Sequence, residues 1–331
     1  MYISYYLPPQ ILTNEILEFD YSSPDWTSSK IYSKTGIKSR HVVQEELVSD
    51  IAILSAEKLF HEHKIDRDSV DFLILCTQSP DYFLPTTACI IQERLALSTR
   101  IGAFDFNLGC SGYVYGLAMS KALLSTKMAQ RILLITSETY SRFINHMDKS
   151  TRTIFGDAAT STLLETVDVD NIGEFVLGTD GKGAPNLIVP AGGLARRSSI
   201  ETAEETQDYT GSVRSLDNLF MNGIAISAFI LECVPNLVME TISKNSISID
   251  DVDYFVFHQA NSMILEKLRD KLSIPTKKFC IDIEKIGNTV SSTIPIALRN
   301  GIDNGSIKKG MNVLTVGFGV GYSWGATLLK F

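Results

Sequence analysis

The sequence predicts an α/β protein: parallel sheet covered by helices on both faces, arranged as two halves of like design. Three observations lead there. Apolar runs of strand length alternate with helical patterns along the chain. The order helix, strand, polar turn, helix occurs in each half. No run approaches the roughly 20 apolar residues that a membrane span needs.

Taken in order, a helix-like stretch over 48–60 leads into the run 71–76, DFLILC. The run 101–106 precedes helical material over 111–127, and 131–136 is the next strand. A long helical pattern covers 224–243, followed by the strand 254–257, a helix over 262–272 and a strand around 278–281. A helix over 290–299 and strands over 313–316 and 323–329 close the chain. These runs are apolar without alternation, as expected where both faces are buried. No sequence identity between the halves is evident, so the repetition is one of architecture. The boundary is expected near 167–171, giving an N-terminal half (1–169) that carries a nucleophilic Cys and a C-terminal half (170–331) that carries a His and an Asn. Residues 192–211 are nearly free of apolar side chains and read as a solvated loop. A mobile flap over a substrate entrance is the alternative there.

Composition bounds the function. Of 331 residues, 44% are hydrophobic and 21% charged, ordinary for a soluble globular protein. A net charge of −8 argues against nucleic acid as a partner, because phosphate binding needs a basic surface. Four of the five cysteines (Cys76, Cys89, Cys233, Cys280) sit in apolar stretches, the pattern of buried thiols in a reducing compartment. The N-terminus lacks a charged region followed by an apolar run, so a cytoplasmic protein is expected. No His, Cys, Asp and Glu cluster has metal-ligand spacing.

Three segments carry chemistry: Gly109-Cys110-Ser111-Gly112, His258-Gln259-Ala260-Asn261 and Gly287-Asn288-Thr289. Cys110 stands between a strand and a helix start, where the positive end of the helix dipole favours thiolate. A buried structural cysteine is the alternative. His258 ends a strand, and strand ends in open sheets face the site crevice; a satisfied strand-end histidine is the alternative. His41, His61, His63 and His146 lie in polar surroundings without that claim. Asn288 could cap the helix that follows it. The ending GFGVGYSWG could be a plain turn, or could bring backbone N–H groups close to a ligand as an oxyanion hole.

The chain resembles the beta-ketoacyl-acyl-carrier-protein synthase III family of the thiolase superfamily over nearly its whole length. The resemblance rests on TGIKSRH, TQSPDYFLPTTAC, NLGCSGYVYGL, IFGDAAT, MNG, HQAN, GNTVSSTIP and GFGVGYSWGA, in that order. It implies a five-layer αβαβα fold of two related halves, a homodimer, and a Cys-His-Asn set made of Cys110, His258 and Asn288. By this resemblance Cys110 takes an acyl group from a CoA or carrier thioester. Malonyl-acyl carrier protein then loses CO2, and its carbanion attacks the acyl-enzyme. The N–H groups of Cys110 and Val320 are the implied oxyanion hole. No metal or cofactor is implied.

The resemblance further assigns substrate-binding roles to Lys34, Leu84, Lys149, Ile154, Phe155, Met221, Ala260, Asn261 and Gly319. Leu84 is the residue expected to cross the dimer interface and floor the acyl pocket. Lys267, Arg269 and Lys271 could dock an acidic carrier, or form a solvated helix face. The chain also departs from the family. Lys30 occupies the usual place of a CoA-stacking tryptophan, with Trp26 four residues upstream. Lysines stand for phosphate-clamping arginines at 34 and 149, and Met263 replaces a third. Lysine keeps the charge and loses the planar fork. Either the loop is re-registered or the donor is presented differently. Two other activities share the fold: acyl transfer to an alcohol or amine, and a non-catalytic partner subunit. The signature of papain-like proteases, which also use Cys-His-Asn, is absent around Cys110.

Overall fold

The computed structural model describes residues 1–166 and 171–331. In chain order it contains β1 (Tyr2–Tyr6), β2 (Gln10–Thr13), α1 (Asn14–Tyr21), α2 (Ser28–Thr35), β3 (Ser39–Val42), α3 (Val48–His63), β4 (Phe72–Cys76), α4 (Thr87–Arg94), β5 (Gly102–Phe106), α5 (Gly112–Ser125), β6 (Arg131–Glu138) and β7 (Ala158–Glu165). Then follow β8 (Ile172–Thr179), β9 (Leu187–Ile188), β10 (Thr206–Gln207), β11 (Val213–Arg214), β12 (Phe220–Met221), α6 (Gly223–Lys244), β13 (Tyr254–Phe257), α7 (Ser262–Lys271), α8 (Thr293–Asp303), β14 (Asn312–Gly319) and β15 (Ser323–Lys330).

Two sheets carry the fold, with orders β1-β7-β6-β4-β5 and β13-β14-β15-β8. In the first, β4 pairs parallel with β5 and β6, while β7 is antiparallel to β6 and β1. In the second, β13 is parallel to β14, and β15 is antiparallel to β14 and β8. A parallel bridge from Phe255 to Phe279 stands where β5 stands in the first sheet. The order and directions therefore match strand for strand. The boundary expected near 167–171 falls largely on residues outside those described.

Alternation of side chains explains why the central strands are apolar throughout. Ile74, Ile132 and Leu134 face inward to α5 and α8, which also meet Val256, Val313 and Leu329 of the second sheet. Leu73, Leu75, Leu133 and Ile135 face outward to α3 and α4. Phe255, Phe257, Leu314 and Val316 face outward to α6 and α7. The result is five layers, α-β-α-β-α.

Three expectations need correction. The sheets are mixed rather than parallel: β1, β7, β8 and β15 run against their neighbours. No strand forms at 278–281. There the backbone makes one sheet bond, Cys280 N to Phe255 O, and the Gln259 side chain takes over the rest by accepting from Asp282 N and donating to Phe257 O. Finally, α6 does have the length and mean hydropathy (1.5) of a membrane-crossing helix. Its Ile230, Val234, Leu237 and Val238 are instead the core-facing stripe that packs on the second sheet.

Candidate active site

The Cys110 turn is built by close approach. Cys110 lies just before α5 and is buried, 6% exposed. A methyl group at Gly319 would fall 2.7 Å from Cys110 Cβ and 3.1 Å from its Sγ, so only glycine lets β14 run against the thiol. Ser111 Oγ meets Ser323 Oγ at 2.6 Å, and Ser323 Oγ donates to Val320 O at 2.9 Å. The turn after β14 is thereby pinned to the Cys110 turn. Burial pushes the Cys110 thiol up to about 12, and nearby Glu138 adds to the effect. Cys110 is thus a thiol at rest, not the thiolate expected from the helix dipole, because burial outweighs it.

His258 directly follows β13 and is buried. Its Nδ1 meets Thr293 Oγ1 at 2.7 Å, and burial lowers its pKa to about 3, so the ring is neutral. Asn288 is held from both sides: its N–H donates to Ile154 O at 2.9 Å and its carbonyl accepts from Gly156 N at 3.0 Å. Its Oδ1 accepts from Val290 N at 2.9 Å, a bond within the turn rather than a helix cap: α8 begins only at Thr293, and its cap residue is Ser292. The amide Nδ2 stands 3.5 Å from His258 Nε2 and 3.5 Å from Ala260 O. Both contacts are too long to hold it firmly. The amide and the imidazole thus present their nitrogens side by side.

Cys110, His258 and Asn288 line one cavity of about 140 Å³. The structure brings Ile154, Phe155, Met221, Ala260, Asn261, Gly319 and Val320 to its wall as well. Asn261 doubles as the N-cap of α7, accepting from Ile264 N at 2.9 Å. A mouth of about 860 Å³ opens outward past Met221 and Asn261, with Trp26, Lys34, Met263 and Lys267 on its rim. A third cleft, about 780 Å³, lies beyond Leu187 and Val320 and is lined by Tyr140, Phe143 and Leu219. Gly192, Gly193 and Ser198 of the polar 192–211 segment border it. That segment is largely solvated, with Leu194, Ile200 and Tyr209 exposed, and contains the short strand β10.

The remaining expected residues lie farther out. Leu84 is 83% exposed on the loop between β4 and α4, beside exposed Tyr82 and Phe83, and is absent from the Cys110 cavity of its own chain. Lys149 Nζ lies 6.0 Å from the Tyr21 ring centroid. Arg269 pairs with Asp270 at 2.8 Å and Lys271 donates to Leu231 O at 2.7 Å, leaving Lys267 as the docking candidate at the mouth.

Lys30 turns away to Pro24 O and Asp25, whereas Trp26 reaches the mouth with Lys34 Nζ 4.7 Å over its ring. Trp26, rather than Lys30, therefore lines the mouth. Thr293, Glu138 and Leu187 were missed. Thr293 was readable only as part of a helix start, and Leu187 lies in a segment without periodicity. Among the described residues no group of three His, Cys, Asp or Glu could hold a metal ion.

The family model described as 3-oxoacyl-[acyl-carrier-protein (ACP)] synthase III matches residues 104–181, and its C-terminal counterpart matches 242–331. A beta-ketoacyl-[acyl-carrier-protein] synthase III from Clostridioides difficile is 36% identical over 329 residues, covering 98% of this chain and 96% of its own. One from Clostridium perfringens is 34% identical over 327 residues, covering 98% and 96%. A crystal structure of a 3-oxoacyl-(acyl-carrier-protein) synthase III superposes with a TM-score of 0.96 at 47% identity, over 99% of this chain and 98% of that one. The Thermus thermophilus enzyme gives 0.87 at 31% identity, over 100% and 98%. With a full-length relatedness of this degree, the chain belongs to the beta-ketoacyl-[acyl-carrier-protein] synthase III family.

Proposed function

We propose that the chain condenses an acyl group, carried on Cys110, with malonyl-acyl carrier protein to give a 3-oxoacyl-carrier product and CO2. The observation that carries this reading is the single cavity shared by a thiol, a neutral imidazole and a carboxamide. In the first half-reaction Cys110 Sγ attacks the thioester carbonyl. The thiol proton leaves with the departing CoA or carrier thiol, so no external base is consumed. The N–H groups of Cys110 and Val320 serve as the oxyanion donors, each worth about 3 kcal/mol of barrier.

In the second half-reaction the malonyl carboxylate leaves as CO2, and its electron pair passes into the thioester as an enolate. His258 Nε2 and Asn288 Nδ2 stabilise that oxygen if both are donors. Nε2 carries the proton when Nδ1 accepts from the Thr293 hydroxyl. The same hydroxyl lies 3.1 Å from Val290 O, and when it donates there Nδ1 carries the proton instead. With both nitrogens as donors, the 3.5 Å between them is a gap that a shared acceptor oxygen fills. The enolate carbon attacks the acyl carbonyl, Cys110 leaves as thiolate and takes up a proton from solvent. The steps balance without a metal or other cofactor.

The donor enters by the mouth bearing Trp26, Lys34, Met263 and Lys267, with Lys149 as a further cation. Lys267, aided by Arg269 and Lys271, meets the acidic carrier. The acyl chain lies against Phe155, Leu187 and Met221, with Ile154, Ala260, Asn261 and Gly319 completing the wall. The exposed Tyr82, Phe83 and Leu84 support a homodimer in which Leu84 reaches the partner's acyl pocket. The matching sheets support a division into halves 1–169 and 170–331. The five cysteines are unpaired, although Cys89 is exposed and Cys233 half-buried rather than buried as their apolar surroundings suggested; unpaired thiols fit a cytoplasmic setting. An assay of 3-oxoacyl-carrier and CO2 from an acyl-CoA and malonyl-carrier tests this function. Cys110→Ala is expected to abolish the product, and unchanged product from that variant would remove Cys110 from the reaction.

A further inference from the structure

Among the buried acids that the mechanism leaves unused, one stands beside the Cys110 turn. Glu138 ends β6 with no solvent exposure. Its Oε1 accepts from Ser291 Oγ at 2.8 Å, and its Oε2 accepts from Gln78 N at 3.0 Å and Ser79 Oγ at 3.4 Å. These donors stand on the two segments that frame the nucleophile. The Gln78 side chain lies against Gly109, where a methyl group would fall 2.4 Å from Gln78 Oε1. Ser291 lies against Gly112, 3.6 Å from a methyl placed there. Ser291 also follows Val290, a β-branched residue held at φ +56°, a conformation that persists only where its surroundings impose it. Val290 in turn holds Asn288 through the bond to Oδ1.

We infer that Glu138 is a positioning residue of this condensing site: one carboxyl group clamps the Cys110 turn and the Asn288 turn to the same strand end. The inference rests on the roles given above to Cys110 and Asn288. Its electrostatics differ from those of an inert buried acid. Burial pushes the carboxyl up to about 8, against the hydrogen bonds from Gln78, Ser291 and Ser79. The titratable groups around it are Cys76 at the end of β4, Cys110, Tyr140 and Asp157. All four are acids, so an ionised Glu138 opposes a negative charge on any of them, the Cys110 thiolate included. The clamp and the charge can be separated by substitution.

Glu138→Gln keeps the shape and removes the charge. Ser291→Ala frees only the Asn288 side. For each, the pH midpoint of Cys110 alkylation by iodoacetamide is measured, together with separate single-turnover rates for acyl loading and condensation. Alkylation needs no condensing activity, so it reads the Cys110 environment even if the proposed reaction is wrong. E138Q is expected to move the midpoint down by about one pH unit. S291A is expected to leave the midpoint in place and to slow condensation about tenfold, with acyl loading within about twofold of wild type. An unmoved midpoint in E138Q, or equal effects of S291A on both half-reactions, overturns the inference. If E138Q fails to fold, the split between the half-reactions in S291A decides alone.

Discussion

Replacing Gly319 by alanine probes the closest contact in the site. The added methyl would sit 2.7 Å from Cys110 Cβ, 3.1 Å from Sγ and 3.6 Å from Cys110 N, against a normal carbon–carbon contact of about 3.5–4.0 Å. Either β14 or the Cys110 turn must yield by roughly 1 Å. Overpacking of this kind costs about 1–3 kcal/mol of stability, a fall of about 2–4 °C in melting temperature for a chain of this size. The larger loss is kinetic, because a 1 Å displacement of a reacting group costs on the order of 100-fold. The assay is the rate of acyl adduct formation on Cys110, followed by intact mass, beside a thermal melt. Gly181→Ala is the control, since nothing lies within 4 Å of its added methyl. Acyl loading by G319A at the wild-type rate would refute the reasoning that β14 packs directly on the nucleophile.

Other outcomes follow from the same geometry. His258→Ala is expected to form the acyl-enzyme at close to the normal rate and to lose condensation by about 100-fold or more; equal loss in both half-reactions, measured by single turnover, counts against its enolate role. Thr293→Val removes the hydroxyl facing His258 Nδ1 at nearly constant volume, and malonyl decarboxylation should fall while acyl loading persists. Folded Glu138 keeps its proton to about pH 8, whereas the unfolded carboxyl loses it near 4.5, so the folded state loses stability as pH rises through that window. Melting temperature should therefore decline from pH 6.5 to 8 in wild type, and the decline should flatten in E138Q. Folded His258 refuses a proton until about pH 3, whereas the unfolded ring binds one at 6.5, so acid destabilises the fold by at most about 5 kcal/mol from this group. A melt unchanged between pH 6.5 and 3 contradicts that burial.

The central strands were legible because both of their faces are buried: Tyr254–Phe257 carries no polar residue to obscure it. β7 was hidden for the opposite reason. Its sequence AATSTLLE buries Thr160 and Ser161 by pairing their hydroxyls with Thr136 at 2.7 Å and Ser55 at 2.6 Å. Such pairing is invisible to a reading of apolar runs. Without β7 and the edge strands β1 and β8, the β14–β15 hairpin is the one antiparallel pair left in the two sheets, and the rest look parallel. The false strand at 278–281 arose because a side chain, Gln259, supplies contacts that the pattern assigned to the backbone.

Cys110, His258 and Asn288 could be picked out because each sits at a turn with small or polar neighbours. Glu138 and Thr293 could not, since their partners lie 153 and 35 residues away. Trp26 was placed only by the path of the loop that brings it under Lys34.

The most direct test is a single turnover begun from isolated acyl-enzyme. Protein acylated on Cys110 is freed of donor, mixed with malonyl-carrier, and followed by intact mass with CO2 collected in parallel. The account predicts that the adduct disappears as 3-oxoacyl-carrier and CO2 appear in equal amounts. An adduct on another residue, or one that persists or passes to an alcohol or amine without CO2, would contradict it.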